Sequence, residues 1–128
     1  MRFSKTARRI MALGAFNALL VVVLGAYAYH GLKPQLSELG RWEGFELAMQ
    51  YHWYHALALI ALGLWQGICQ DERKLVALLF LLGMLLFSGV IYLRGFVPAA
   101  EAIAFLTPMG GSSLMAAWGL WGWRLWRG

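Results

Sequence analysis

Two histidines three residues apart are the side chains best able to do chemistry in this sequence. His52 and His55 lie in an uncharged stretch, residues 50–59, that reads as part of a membrane-spanning helix. Residues three apart share one helix face, so two imidazoles could bind zinc or copper, with His30 as a third ligand. The alternative is that each ring hydrogen-bonds a group on a neighbouring helix, because an unpaired polar group in hydrocarbon costs several kcal/mol. We favour the alternative and assign no metal and no cofactor.

Two other chemistries draw on the same histidines. Haem ligation by His30 and His55 would take one ligand from each of two helices, but the two residues lie at different expected depths. Hydrolysis would pair Ser88 with His55 as nucleophile and base. The sequence has no G-x-S-x-G motif, and the orienting carboxylate would have to be Glu46. We therefore predict that the protein is not an enzyme.

The composition indicates a membrane protein. The chain is 61% hydrophobic and 13% charged, whereas soluble domains carry about 25% charged residues. The net charge of +5 does not indicate nucleic-acid binding, because the basic residues flank apolar segments and so are typical of topology signals. Cys69 is the single cysteine, which excludes an internal disulfide.

Four apolar segments predict four transmembrane helices in a single domain. The predicted spans cover residues 10–30, 45–68, 75–93 and 102–123. The first segment also resembles a signal peptide with a cleavage site at residues 26–28, but its apolar run is longer than a usual signal core. We expect a retained first span. A tryptophan-rich end of the last span predicts an interfacial aromatic belt formed by Trp118, Trp121, Trp123 and Trp126.

The distribution of basic residues predicts the orientation. Eight fall on the side of the two chain ends and of the second connection: Arg2, Lys5, Arg8, Arg9, Arg73, Lys74, Arg124 and Arg127. Three fall on the other side: Lys33, Arg41 and Arg94. The positive-inside rule then places both termini in the cytoplasm. The predicted fold is an all-α integral membrane protein, a four-transmembrane-helix bundle running up-down-up-down.

This topology places the polar side chains of all four spans in the outer half of the bundle, given a rise of about 1.5 Å per residue. We call this set the predicted polar cluster, and its members are His30, Gln50, His52, His55, Ser88, Tyr92 and Thr107. We predict that His55 hydrogen-bonds a residue of another helix and that the cluster fixes how the helices dock. The alternative is that the cluster is a binding site for a small molecule, an ion or a metal.

Small residues suggest further helix contacts. Gly63 and Gly67 form a GxxxG pattern, which favours close helix approach within the bundle, with a second copy, or with a partner membrane protein. Pro108, followed by Gly110 and Gly111, predicts a kink in the last span that frees backbone carbonyl groups. Such breaks line ligand sites in transporters.

Four ordered motifs resemble a known family. They are GAYAYHGL at residues 25–32, QYxxYHALA at 50–58, LFSGxxY at 86–92 and LTPxGG at 106–111. Together they resemble the small bacterial inner-membrane proteins catalogued as domain of unknown function 423, the YgdD-like group or uncharacterised protein family 0382. His30 and His55 match the family pattern, whereas His52 stands where the family commonly has glutamine.

The resemblance implies a four-helix protein of the bacterial inner membrane and implies no activity. We therefore predict a multi-pass, non-enzymatic membrane protein with an assembly, accessory or stress-related role. Its expected partners are the lipid bilayer and a second copy or another membrane protein, but no nucleic acid. The alternative remains a small-molecule, ion or metal binding or transport protein.

Overall fold

The computed structural model describes residues 2–128, which are helical and contain no strand. The six α-helices are α1 (Lys5–Tyr27), α2 (Lys33–Glu38), α3 (Trp42–Cys69), α4 (Leu75–Met84), α5 (Val90–Phe96) and α6 (Leu106–Arg127). Shorter helical turns connect them: π-helical turns at Ala28–Leu32 and Leu85–Gly89, and a 3₁₀ turn at Pro98–Ile103. The π turns join α1 to α2 and α4 to α5 without a break, so the chain forms four helical columns.

The observed helix bounds differ from the predicted spans, and the end of the first column and the start of the last are two of the differences. The first column continues to Glu38, well beyond residue 30, where the first span was predicted to end. Pro34 does not stop it, because it directly follows the π turn Ala28–Leu32, where the hydrogen-bond pattern shifts and the N–H that proline lacks can be left out. The last helix begins at Leu106 instead of residue 102, because residues 98–103 take the tighter 3₁₀ form.

Glycine allows α1 and α3 to pack closely as antiparallel neighbours. A Cβ atom at Gly14 would lie 2.7 Å from a backbone oxygen of α3, and one at Gly63 would lie 2.9 Å from the Ala7 oxygen of α1. A Cβ atom at Gly67 would lie 2.7 Å from the Phe3 ring. The GxxxG pattern therefore makes its close contact within the chain, which is the first of the alternatives considered for it.

The contact between the α4–α5 column and α6 is equally close. A Cβ atom at Gly110 would overlap the backbone nitrogen of Phe87 and lie 2.7 Å from the carbonyl carbon of Leu86. Both of these residues belong to the second π turn. Only a residue without a side chain lets the two backbones approach this closely.

The predicted kink at Pro108 is wrong. Helix α6 runs unbroken from Leu106 to Arg127. Pro108 lies in its first turn, where the N–H that proline lacks would have no intrahelical partner. The Ser112 hydroxyl also donates to the Pro108 carbonyl at 3.0 Å. The proline therefore helps to start the helix, and it lines the groove beside His55 without breaking the helix.

Two apolar clusters form the core, and buried polar residues lie between them. The larger cluster includes Leu59, Leu62 and Phe80, and the smaller one includes Phe45. Along α3, His52 and its neighbour His55 fall between the residues of the smaller cluster and those of the larger one. The buried histidines therefore occupy a polar layer inside the bundle.

Two of the columns have the length and composition needed to cross a membrane. They are Lys5–Glu38 and Leu75–Phe96. Both expose large apolar side chains on their outward faces, for example Leu19 at 60% and Leu85 at 65%. Such faces suit a lipid environment, which takes up apolar side chains that water would not.

Candidate functional site

His52 is buried, and both of its ring nitrogens meet side chains of other helices. Nδ1 lies 3.0 Å from the Tyr92 hydroxyl, and Nε2 lies 2.9 Å from Asn17 Oδ1. The Asn17 amide nitrogen donates to the Leu13 carbonyl at 2.8 Å, which orients its oxygen toward His52. The arrangement therefore assigns the proton to Nε2 and lets Nδ1 accept from Tyr92. We call Asn17, His52 and Tyr92 the His52 network; it joins α1, α3 and α5.

His55 makes the interhelical hydrogen bond that we predicted. The Trp118 indole N–H of α6 donates to His55 Nε2 at 3.0 Å. Because an indole only donates, Nε2 must be the acceptor and Nδ1 must carry the proton. Nδ1 then donates to the Tyr51 carbonyl at 2.6 Å. Both nitrogens of His55 are therefore also in use.

Two buried serines connect the helical columns through backbone carbonyls. Ser88, in the second π turn, donates to the Ala48 carbonyl of α3 at 2.7 Å. Ser113 of α6 donates to the Leu79 carbonyl of α4 at 2.8 Å. Each hydroxyl thus donates a hydrogen bond to a backbone carbonyl of a neighbouring helix, as small polar residues do in membrane bundles.

Two members of the predicted polar cluster lie outside it. His30 is exposed and lines a shallow surface groove with Tyr27. It lies within the π turn Ala28–Leu32, where the wider helical turn changes which face of the first column a residue occupies. Gln50 is also exposed, because it stands two residues from His52 and so about 200° around the helix. Thr107 is half-buried at the edge of the cluster, and its hydroxyl has no hydrogen-bond partner within residues 2–128.

The three histidines considered as metal ligands are not brought together. Within residues 2–128, no group of three or more His, Cys, Asp or Glu side chains is arranged to hold a metal ion. His52 and His55 have both nitrogens engaged with protein groups, and His30 faces outward from another part of the surface.

A groove of about 570 Å³ reaches His55 from the side of the bundle. Its lining is mostly aromatic and aliphatic and includes Tyr51, Phe87, Met115 and Trp118. Tyr51 stacks on Phe87 with 4.7 Å between ring centroids, and Met115 is 73% exposed. The groove therefore suits an apolar group better than a hydrated ion.

The end of the bundle that carries the α2–α3 and α5–α6 connections has an ion-pair cluster. Arg94 donates to both oxygens of Glu101 at 2.9 Å, and Arg41 reaches the same carboxylate at 3.4 Å. The hydrogen bonds from Arg94 are the main reason that the pKa of the Glu101 carboxyl lies below its usual range. Of the three basic residues at this end of the bundle, Arg41 and Arg94 thus face a carboxylate.

Two residues that hydrogen-bond the buried histidines, Asn17 and Trp118, were not identified in that role from the sequence. Asn17 is the one amide side chain in an otherwise apolar first segment, and an isolated polar residue of that kind signals a buried partner. Trp118 was assigned to an interfacial belt; it is 47% exposed, and its indole also donates to His55. Trp121 is the one of the four belt tryptophans that is buried, at 8% exposure, whereas Trp123 and Trp126 are exposed like Trp118.

Comparisons with known proteins agree with this helical, apolar structure. The family described as Protein of unknown function (DUF423) matches residues 24–111. A UPF0382 membrane protein of Staphylococcus saprophyticus is 35% identical over 108 residues, which cover 83% of this chain and 87% of that protein. The UPF0382 membrane protein YwdK of Bacillus subtilis is 34% identical over 113 residues, covering 83% and 86%.

A UPF0382 membrane protein of Haemophilus influenzae is 30% identical over 112 residues, covering 86% of this chain and 87% of that protein. No solved structure matches the chain. The family match covers more than half of the sequence and includes His30, the His52–His55 pair, Ser88 and Thr107. The chain therefore belongs to the DUF423 family of UPF0382 membrane proteins.

Proposed function

We propose that this protein is a single-domain, four-span protein of the bacterial inner membrane with both termini in the cytoplasm. It acts without catalysis, as an assembly, accessory or stress-related factor, and it works through contacts with lipid and with a partner membrane protein or a second copy. The His52 network and the bond between His55 and Trp118 hold its helices in register.

One observation carries the proposal: the buried histidines have no free nitrogen. A general base or a metal ligand needs an available lone pair on the imidazole. In His52 and His55 both nitrogens are bound to protein groups, three of the four partners coming from other helices. This hydrogen bonding is what a connection between helices requires, and it gives every ring nitrogen of His52 and His55 a protein partner.

The helix lengths support four spans. Helix α3 has 28 residues and α6 has 22, which at about 1.5 Å per residue correspond to about 42 Å and 33 Å. Both exceed the hydrocarbon thickness of about 30 Å. The excess of basic residues at the two chain ends and at the α3–α4 connection supports the cytoplasmic placement of those ends.

Cysteine labelling tests the topology with a residue that the chain already has. Cys69 is exposed at the end of α3 and should react with a membrane-impermeant maleimide in inside-out vesicles but not in spheroplasts. The matched control carries Cys69→Ser with Ser37→Cys, which moves the thiol to an exposed position of α2 at the opposite end. It should show the reverse pattern. Labelling of both thiols from the same side would contradict the four-span arrangement.

A second candidate function rests on the groove beside His55. Its apolar lining favours binding of a small apolar molecule in contact with the imidazole. Elemental analysis and visible absorption of detergent-purified protein test whether the site holds a metal or a haem. We expect neither. A stoichiometric metal or a Soret band that is lost in His55→Ala but kept in His30→Ala would contradict a purely connecting role for His55.

A further inference from the structure

Three arginines meet at the end of the bundle opposite the Glu101 cluster. Arg73 comes from the α3–α4 connection, and Arg124 and Arg127 come from the last turn of α6. With Leu120 and Trp123 they line a groove of about 410 Å³ that also includes Gly128. We call this groove the arginine groove.

Part of its hydrogen-bonding capacity is unused. Arg124 Nη1 is buried and has no hydrogen-bond partner within residues 2–128. A buried charged donor without a partner is costly, and an anion bound by the part of Arg124 that lines the groove would offset some of that cost by neutralising its charge. Arg127 lies over the Trp123 ring at 5.6 Å, which holds its guanidinium against the groove wall.

The charges around the groove leave it positive. Asp71 takes two donors of Arg73, Nε and Nη2, at 2.9 and 2.7 Å, and so offsets one arginine. Glu72, the other acidic residue of this connection, is exposed and does not line the groove. Arg124 also acts electrostatically on Asp71, so one carboxylate is set against three arginines and the groove keeps a net positive charge.

We propose that the arginine groove binds the phosphate of an anionic phospholipid headgroup, with an acyl chain running along Leu120 and Trp123. The planar guanidinium fork matches the geometry of phosphate oxygens, and basic pockets between spanning helices on the cytoplasmic side bind such headgroups. The inference rests on the proposed topology, which places this end of the bundle at the inner leaflet.

Native mass spectrometry of the full chain in detergent tests the site, with phosphatidylglycerol as the probe. Arg124→Gln and Arg127→Gln should each weaken binding of the first lipid about fivefold, and the double variant about 25-fold. The control is Arg8→Gln with Arg9→Gln, which removes the same charge from two exposed residues on the same predicted side. It should change the affinity less than twofold.

Two further probes separate a lipid from free phosphate. Phosphatidylcholine with the same acyl chains should bind far more weakly than phosphatidylglycerol, and millimolar inorganic phosphate should displace little of the bound lipid. Equal binding of the two lipids, displacement by phosphate alone, or an equal loss in the control variant would overturn the proposal. If Arg124→Gln fails to fold, the exposed Arg127→Gln decides the result. Binding in detergent does not depend on membrane sidedness, so failure here leaves the topology experiment unaffected.

Discussion

The His52 network and the arginine groove both contain polar side chains among apolar helices, but they differ in how those side chains are satisfied. In the network, Asn17, His52 and Tyr92 bond one another across three helices. At the groove end, the buried atoms Arg124 Nη1, Trp121 Nε1 and Gln66 Oε1 have no partner within residues 2–128. The difference separates a set of groups that connects helices from a region where buried polar atoms lack partners beside an arginine-lined groove.

Disrupting the close helix packing at Gly110 should have the largest effect on the free energy of unfolding. Gly110→Ala would place a Cβ atom against the backbone of the second π turn, which cannot move aside as a side chain can. We expect a loss of about 3 kcal/mol in the free energy of unfolding, measured in mixed detergent micelles.

The neighbouring glycine provides the control for that experiment. A Cβ atom at Gly111 would lie 3.9 Å from the Phe87 ring, an ordinary contact. Gly111→Ala should therefore be neutral or stabilise the helix by up to about 1 kcal/mol. Equal effects of the two substitutions would show that the close approach at Gly110 is not needed.

A direct comparison of the two regions comes from removing one polar side chain in each. His52→Leu should cost about 2 kcal/mol, because it leaves Asn17 and Tyr92 without their partner. Gln66→Leu should cost less than about 1 kcal/mol, because its Oε1 is already unpaired and only its bond to the Arg73 carbonyl is lost. Unfolding measurements in which Gln66→Leu is the more damaging change would reverse our account of the two regions.

The sequence was sufficient to predict the features that depend on apolar length and on the cost of an unpaired polar group. These were the four helical columns and the bond from His55 to another helix. Asn17 was missed although its isolation in an apolar segment signalled a buried partner. The outward position of His30 was missed because His30 lies in a π turn, Ala28–Leu32, that was not anticipated although Pro34 follows it and lacks the N–H that a regular helix needs there. The Pro108 kink was wrong because the start of α6 was placed too early.

The smallest expected effect on stability comes from removing the ion pair between Asp71 and Arg73, beside the arginine groove. Hydrogen bonds from Arg73 are the main cause of a lowered pKa of the Asp71 carboxyl. A lowered folded-state pKa stabilises the protein above the ordinary value near 3.8, and that stabilisation is lost as the pH falls through the folded value. Arg73 is 63% exposed, so Asp71→Asn should cost only about 0.5 kcal/mol at about pH 6, and this cost should shrink as acid protonates the carboxyl. A cost that persists in acid would exclude the ion pair as its cause.

The most direct test of the central claim is a double-mutant cycle between His52 and Tyr92. His52→Leu removes the imidazole, and Tyr92→Phe removes only the hydroxyl that lies 3.0 Å from Nδ1. If the network connects helices, the two changes should be coupled by about 1 kcal/mol in the free energy of unfolding, within the range measured for polar pairs in membrane bundles. Strictly additive effects would show that the hydrogen bond contributes nothing to helix docking and would contradict the account.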